Sequence, residues 1–351
     1  MFDHRKHIRA AVLTRLGKPL EVLDLKIPEL ARGQVLVDVL YSGICRSQLM
    51  EARGHRGADP WLPHMLGHEG TGIVREVGSG VTRVQPGDRV VLGWIKAGGL
   101  DVKGAKYETI SQKLTVNSGA VTTLSTATIV SESRLVHLPV GMPEDLGVLL
   151  GCALPTGAGM VLNEVMPSVD DTLAIVGLGG IGLSALVTAL ALGVKAVVAI
   201  DVVQERLDLA KKLGAELVVN ASKVDAKEVV FQRFAAGVDA CIEAGGTVST
   251  IELGFSLINR TAGRLVFASH PKHGEKISID PHELISGKNI SGSWGGQSDP
   301  EQISRRLGDL FREGSLALDC FVGRHYSLDD VNHALDDLEK GLTLRPVIHM
   351  G

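Results

Sequence analysis

Residues 176–182 read Val176-Gly177-Leu178-Gly179-Gly180-Ile181-Gly182, and this glycine-rich run is the best starting point for interpreting the chain. It follows an apolar stretch typical of a buried strand and opens a helical pattern that continues to Leu192. Gly177 permits a tight turn, Gly179 lets the backbone approach a phosphate, and Gly182 lets the helix pack against the strand. The run predicts a strand–turn–helix unit whose helix N-terminus binds phosphate groups.

Alternation of strand and helix patterns continues after this run. Residues 196–200 form a second apolar stretch and residues 204–213 a second helical pattern. Further strand candidates lie at 217–219, 238–242, 264–268 and 289–293. This alternation predicts an α/β domain with a doubly wound parallel sheet and helices on both faces.

Asp201 ends the second strand, 24 positions after Gly177 (201 − 177). A carboxylate at that place accepts hydrogen bonds from ribose hydroxyls and repels a 2′-phosphate. We therefore interpret the region as a dinucleotide site that takes NAD and not NADP. The alternative is a glycine-rich turn in an unrelated α/β protein, with Asp201 as a solvated strand end.

The two ends of the chain differ from this central region. Period-two apolar spacing predicts short strands over 8–40, 70–92 and 127–138, and we interpret the polar stretch 97–113 as a loop. Helical patterns at 302–312 and 328–340 precede a last strand. The ends therefore predict a twisted β domain.

Composition excludes several classes of protein. The chain has 351 residues, 22% of them charged, and a net charge of −4, which gives no reason to expect a nucleic-acid or membrane partner. No apolar run is long enough to span a bilayer, and the first ten residues lack the apolar stretch of a secretory signal. Four cysteines in such a long chain do not form a disulfide framework. We expect a cytoplasmic protein.

Three separate segments contain candidate metal ligands, namely Cys45, His68 and Cys152. Two thiolates and one imidazole suit zinc, and three protein ligands leave a fourth position where the metal acts as a Lewis acid on an alcohol oxygen. Each residue also has an ordinary interpretation, as a small buried apolar group or as a hydrogen-bonded histidine. Spacing alone does not join the three.

These segments, the Gly and Glu that flank His68, and the glycine-rich run together resemble the zinc-containing medium-chain alcohol dehydrogenases over nearly the whole chain. The resemblance implies a Rossmann domain (155–297) inserted in a GroES-like β-barrel catalytic domain (1–154 and 298–351). It also implies an enzyme that transfers a hydride reversibly from a primary or secondary alcohol to NAD, giving an aldehyde or ketone. One catalytic zinc ion and NAD are the expected cofactors.

The resemblance also implies roles for single residues. Cys45, His68 and Cys152 would hold the zinc, and Glu69 would lie close behind it, either behind the three ligands or as an alternate ligand. Ser47 would take the alcohol proton, and Trp94 would form a wall of the substrate pocket. The residues implied in cofactor binding are Arg46, Thr156, Gly177, Gly179, Gly180, Ile181, Gly182, Asp201, Arg206 and Arg345, of which Arg46 and Arg345 would contact the pyrophosphate.

The sequence departs from the family pattern in two places. Residues 93–119 contain no cysteine, so we expect no structural zinc. Relatives carry an Asp directly after the Ser/Thr hydroxyl and often a His three residues after it, where this chain has Gln48 and Met50. Glu51 is either a proton acceptor beside Ser47 or, as we favour, a solvated surface charge.

Other interpretations remain open. A zinc-free quinone or enoyl reductase would lack the Cys/His/Cys set, and a polyol or cyclitol dehydrogenase commonly has Glu where Cys152 stands. A non-catalytic NAD-binding regulator would need neither the ligands nor Ser47. For partners we expect a small alcohol or carbonyl substrate, and a homodimer or homotetramer formed through the edge strand near Ile290.

Overall fold

The computed structural model describes residues 6–111, 113–272 and 274–351. The strands are β1 (His7–Leu13), β2 (Glu21–Lys26), β3 (Gln34–Gly43), β4 (His64–Met65), β5 (Gly70–Val77), β6 (Arg89–Leu92), β7 (Lys106–Thr109), β8 (Thr115–Asn117), β9 (Ala127–Ser131), β10 (Leu135–His137), β11 (Thr172–Val176), β12 (Ala196–Asp201), β13 (Leu217–Asn220), β14 (Ala240–Glu243), β15 (Arg264–Phe267), β16 (Asn289–Gly292), β17 (Val322–Ser327) and β18 (Arg345–His349). The α-helices are α1 (Arg46–Ala52), α2 (Glu144–Gly147), α3 (Ala153–Gly159), α4 (Gly180–Ala191), α5 (Gln204–Leu213), α6 (Ala226–Arg233), α7 (Val248–Leu257), α8 (Pro281–Ile285), α9 (Pro300–Arg312) and α10 (Val331–Glu339).

The chain forms two compact units. Unit 1 runs up to Cys152 and also contains 299–308 and 321–351, whereas unit 2 contains 153–298 and 309–320. The sequence predicts divisions after residues 154 and 297, with all of 298–351 in the catalytic domain. In the structure the divisions follow residues 152 and 298, and the segment 309–320 belongs to unit 2.

Unit 1 contains a closed barrel and a second sheet. The barrel has the order β1-β2-β7-β8-β4, and the second sheet has the order β10-β6-β5-β3-β18-β17, with β9 paired to β3. Because side chains alternate along a strand, β3 contributes to two cores: Val35 and Val37 pack in one cluster and Leu36 in another. The predicted GroES-like barrel is confirmed.

One strand of the barrel lies inside the stretch 97–113, so the prediction of a plain loop there is wrong for β7. Tyr107 of β7 is 1% exposed, and its hydroxyl accepts a hydrogen bond of 2.7 Å from the Ile129 backbone N–H. Burial raises the pKa of Tyr107 to about 12. The sequence did not indicate this strand because the neighbours of Tyr107 are polar, and only Tyr107 and Thr109 of the four residues in β7 are buried.

Unit 2 is a doubly wound domain. Its parallel strands have the order β13-β12-β11-β14-β15-β16, so the chain starts in the middle of the sheet, moves outward to β13, and then returns to fill the other half. This order creates a switch point after β11, and ligands of open α/β sheets bind outside the carboxyl ends of the strands at such a point. The predicted Rossmann domain is confirmed.

Within the described residues, no single helix is long and apolar enough to cross a membrane, although the bent pair 144–151 and 153–165 meets the requirement by length and composition.

Candidate active site

Cys45 is held between a strand end and a helix start. Strand β3 ends at Gly43, and Cys45 is the residue that caps the N-terminus of α1. The Cys45 backbone N–H donates a hydrogen bond of 2.5 Å to the Gln48 side-chain oxygen, which is a capping arrangement. Gln48 is 1% exposed. Gln48 therefore fixes the backbone of Cys45, a role that the sequence alone did not assign to it.

His68 and Glu69 lie in the short connection between β4 and β5. The Glu69 backbone oxygen accepts hydrogen bonds from the Gly43 N–H at 3.1 Å and from the Thr123 hydroxyl at 3.1 Å. A Cβ atom on Gly43 would lie 2.8 Å from the Glu69 carboxylate, and one on Gly151 would lie 2.7 Å from the Glu69 Cα. Gly43 lies two positions before Cys45, and Gly151 lies one position before Cys152. Both glycines pack against Glu69, so neither position has room for a larger side chain.

The three predicted ligands come together in unit 1. The Sγ atoms of Cys45 and Cys152 and a ring nitrogen of His68 all lie within 4.8 Å of one another, and His68 Nε2 is 3.2 Å from Cys152 Sγ. Ligands of a tetrahedral zinc ion are about 3.6–3.8 Å apart, given zinc–ligand bonds of 2.0–2.3 Å. The donor set and its spacing fit a zinc ion with one position left for water or substrate.

Electrostatics prepare these ligands for a cation. A hydrogen bond with Cys152, aided by the charge of Arg345, lowers the pKa of Cys45 well below its usual value despite burial. The same hydrogen bond, together with burial, raises the pKa of Cys152. Burial alone lowers the pKa of His68, but the hydrogen bond and charge of Cys45 raise it above its usual value.

A buried ion pair lies behind the ligands. Arg345 Nη1 is 2.6 Å from Glu69 Oε1, and their side chains are 5% and 0% exposed. Burial raises the pKa of Glu69, although the charge of Arg345 opposes this shift. With zinc bound, the thiolates of Cys45 and Cys152 would balance the two charges of the ion while Arg345 balances Glu69, so the buried cluster would be neutral. The implied contact of Arg345 with the pyrophosphate stays a prediction; the structure places Arg345 against Glu69.

The other predicted residues of unit 1 have different degrees of exposure. The Ser47 hydroxyl is buried and has no hydrogen-bond partner among the described residues, which suits a group reserved for a substrate hydroxyl. Arg46, the first residue of α1, is exposed. Trp94 is half-buried, and its backbone N–H donates a hydrogen bond of 3.3 Å to the carbonyl of Gly151, next to Cys152.

The glycine-rich turn of unit 2 has the backbone that the sequence predicts. Gly177 has a φ of +87°, and a Cβ atom there would lie 2.6 Å from Gly245. A Cβ atom on Gly182 would collide with the Gly177 carbonyl. One on Gly179, the cap of α4, would meet no described atom within 4 Å. The backbone at Gly179 therefore faces open space, as it must to receive a pyrophosphate.

Asp201 is tied to this turn. Its Oδ2 accepts a hydrogen bond of 2.6 Å from the Leu178 N–H, and its Oδ1 accepts bonds from the N–H groups of Val202 and Val203 at 2.8 and 2.9 Å. Arg206 Nη1 is 3.6 Å from Asp201 Oδ2. Asp201 is thus both a potential ribose acceptor and a brace of the glycine-rich turn.

The remaining predicted cofactor residues lie on helices that flank the turn. Gly180 and Ile181 form the first turn of α4 and are half-buried. Thr156 is a buried residue of α3.

Sequence reasoning missed one carboxylate of unit 2. Glu243 is fully buried at the end of β14, next to β11, and its Oε1 accepts hydrogen bonds from the Gly245 and Gly246 N–H groups at 2.7 and 3.2 Å. Glu243 ends β14 as Asp201 ends β12. An acidic residue at the end of a predicted parallel strand could therefore have identified Glu243 from the sequence.

Comparison with known proteins agrees with this geometry. Residues 31–140 match the alcohol dehydrogenase GroES-like domain, and residues 180–311 match the zinc-binding dehydrogenase domain. The chain belongs to the zinc-type alcohol dehydrogenases of the medium-chain dehydrogenase/reductase family. It is accordingly an oxidoreductase, and zinc is the metal of its family.

Individual relatives match over their whole length. The chain is 31% identical to an S-(hydroxymethyl)glutathione dehydrogenase of Escherichia coli, over 97% of this chain and 99% of the relative. Benzyl alcohol dehydrogenase of Acinetobacter calcoaceticus is 30% identical, with a TM-score of 0.89 over 99% of this chain and 100% of the other. An alcohol dehydrogenase zinc-binding domain protein of Burkholderia ambifaria is 27% identical, with a TM-score of 0.91 over 99% of both chains.

Proposed function

We propose that the chain catalyses the reversible, NAD-linked oxidation of a primary or secondary alcohol to an aldehyde or ketone. The observation that carries this proposal is the convergence of Cys45, His68 and Cys152, together with a buried hydroxyl two residues after Cys45, that of Ser47, which has no partner among the described residues. When bound, zinc supplies Lewis-acid polarisation of the alcohol oxygen and NAD supplies the hydride acceptor. A site that only bound a nucleotide would need neither the ligands nor the hydroxyl.

The chain's own residues divide the remaining work. Cys45, His68 and Cys152 hold the ion and leave one ligand position open. Ser47 accepts the alcohol proton at Oγ and passes its own hydroxyl proton outward, so the serine stays neutral; its buried hydroxyl has unused hydrogen-bonding capacity for this relay. Glu69 and Arg345 keep the surroundings of the ligands charge-balanced.

The alcohols assayed for NAD reduction should include primary alcohols. Two of the similar proteins are named for substrates that carry a hydroxymethyl group, S-(hydroxymethyl)glutathione and benzyl alcohol. The panel should pair benzyl alcohol and a thiol-linked hydroxymethyl compound with a secondary and a cyclic polyhydroxy alcohol. NAD reduction with at least one of them supports the proposal; zinc-loaded protein that turns over none of them would favour a regulator.

Selection of NAD is expected to depend on Asp201. Replacing it by Asn removes the charge that repels a 2′-phosphate, so we expect the preference of kcat/KM for NAD over NADP to fall by about 10- to 100-fold, or roughly 1.4–2.8 kcal/mol. Glu205→Gln, a neighbouring substitution in the first turn of α5, is the matched control. An equal loss with both cofactors would mean that Asp201 only braces the Leu178 turn, and would contradict its role in selection.

We also propose that the protein assembles through strand β16. In the order of the described strands β16 ends its sheet, and an unpaired edge is a ready template for a second copy. Two large apolar side chains near this edge are exposed, Ile285 at 81% and Trp294 at 71%. Light scattering should show a dimer or tetramer that Trp294→Lys shifts toward monomer, whereas Leu342→Lys, also 71% exposed in the native chain, leaves assembly unchanged. A monomeric wild-type protein would refute the proposal.

A further inference from the structure

A second cluster of metal-ligating side chains lies in unit 1 and shares no residue with the Cys45, His68 and Cys152 set. Glu51 of α1, Asp59 and His64 of β4 place one ligand atom each within 4.8 Å of the others. His64 Nε2 is 2.8 Å from Asp59 Oδ2 and 3.8 Å from Glu51 Oε1. The three side chains are 10%, 13% and 28% exposed for His64, Asp59 and Glu51, so they do not form an ordinary surface ion pair.

The histidine ring is oriented from outside the cluster. His64 Nδ1 is 2.9 Å from the Met65 carbonyl oxygen, which can only accept, so this contact is a hydrogen bond in the tautomer that carries its proton on Nδ1. Nε2 then points at two carboxylates, which are acceptors as well. In that tautomer, a cation between Nε2 and the carboxylate oxygens would bind all three ligand atoms. An N–H donated to a backbone carbonyl, with the other nitrogen free for an ion, is the arrangement that orients most metal-binding histidines.

Each of the two carboxylates also has one oxygen that faces the cluster, Glu51 Oε1 and Asp59 Oδ2. Asp59 Oδ1 accepts a hydrogen bond of 2.8 Å from the Trp61 N–H, which leaves Oδ2 for the cluster. Glu51 Oε2 is 3.8 Å from Arg56, whose side chain is 55% exposed and free to turn to solvent. The distance of 2.8 Å between His64 Nε2 and Asp59 Oδ2 is close to the roughly 3.0 Å between neighbouring ligands around an octahedral ion with bonds of about 2.1 Å.

The cluster opens onto a cavity of unit 1. Glu51 and His64 line this space of about 800 Å³, and His68 lines it as well. A cation beside Glu51 and His64 would therefore have room for water or for an oxygen-bearing ligand at its remaining positions.

We propose that Glu51, Asp59 and His64 form a second divalent-cation site, which binds Mn²⁺ and is separate from the Cys45/His68/Cys152 site. Two carboxylates and one imidazole are a harder donor set than two thiolates and one imidazole, and carboxylate oxygen favours Mn²⁺ where thiolate favours zinc. The site extends the proposed function without depending on it, since cation binding is measurable without turnover.

The test measures cation binding to the full-length protein. After washing with a weak chelator, its zinc content is determined, and Mn²⁺ is titrated while free Mn²⁺ is followed by electron paramagnetic resonance. We expect one equivalent of bound Mn²⁺, weakened more than about tenfold in Asp59→Asn and His64→Gln because each removes a ligand atom. Asp170→Asn, an exposed aspartate paired with Lys195, is the matched control and should bind as the native protein does. Cys152→Ser should lose zinc and keep Mn²⁺.

A third variant and the zinc content of the washed protein test the same cation site independently. Glu51→Gln alters a half-buried helix residue and tests the site if either of the other variants fails to fold. A second zinc equivalent in the washed protein that disappears in Asp59→Asn also supports the site. Native protein that binds no Mn²⁺ and holds no second zinc, or variants that bind as tightly as the native chain, would overturn the proposal. Failure of the alcohol panel alone would not affect this result.

Discussion

Replacing His68 by Ala, or Cys152 by Ser, is expected to remove the zinc ion and to lower kcat/KM for the best alcohol by about 10³-fold or more. Each ligand would supply one of three bonds to the ion, and neither variant keeps the original ligand atom. Lewis-acid stabilisation is worth several kcal/mol, and each 1.36 kcal/mol corresponds to a factor of ten in rate.

The measurement pairs metal content with steady-state kinetics. Native protein should hold one zinc ion at the Cys45/His68/Cys152 site, and the ligand variants should hold well under one. Cys320→Ser is the matched control, because burial raises the pKa of that thiol to about 11 and its Sγ donates a hydrogen bond of 3.2 Å to the Ala317 carbonyl, away from the predicted zinc ligands. A Cys152→Ser protein that keeps native activity without zinc would disprove the proposed role of the metal.

The fold was largely predictable from local pattern. The glycine-rich run predicts the turn reliably because both positions exclude side chains. Gly177 has a left-handed φ and Gly182 is closely packed, so the sequence must have glycine at each. Strand β7 was missed since only Tyr107 and Thr109 of its four residues are buried, which is too short an alternation to recognise among polar neighbours.

The site was predictable only in part. Cys45, His68 and Cys152 are far apart in the chain, and spacing carries no information on which ones meet; the family resemblance supplied it. The pairing of Arg345 with Glu69, across 276 positions, could not come from local sequence. Neither could the cluster of Glu51, Asp59 and His64, because two of its residues lie on irregular backbone or a two-residue strand that no periodicity marks.

The second large effect concerns the buried ion pair. Arg345→Met should lower the free energy of unfolding of the protein by about 3–5 kcal/mol, because it leaves the Glu69 carboxylate buried without its counter-ion. Glu69 is 0% exposed, so water cannot replace the lost guanidinium without local rearrangement. Glu69→Gln should also destabilise the protein, by removing the carboxylate that pairs with the buried Arg345 guanidinium, although Arg345 keeps its interaction with Cys45.

The pair is best tested by a double-mutant cycle in urea. Combining Arg345→Met with Glu69→Gln removes both charges, so the double variant should be more stable than the sum of the single effects allows, with a coupling of about 1–3 kcal/mol. Arg9→Met is the matched control: its ion pair with Asp329 has side chains 41% and 63% exposed, and exposed pairs contribute about 0–1 kcal/mol. If Arg345→Met costs no more than Arg9→Met, the Glu69 charge is compensated by some other group, and the neutral cluster proposed around the zinc ligands is wrong.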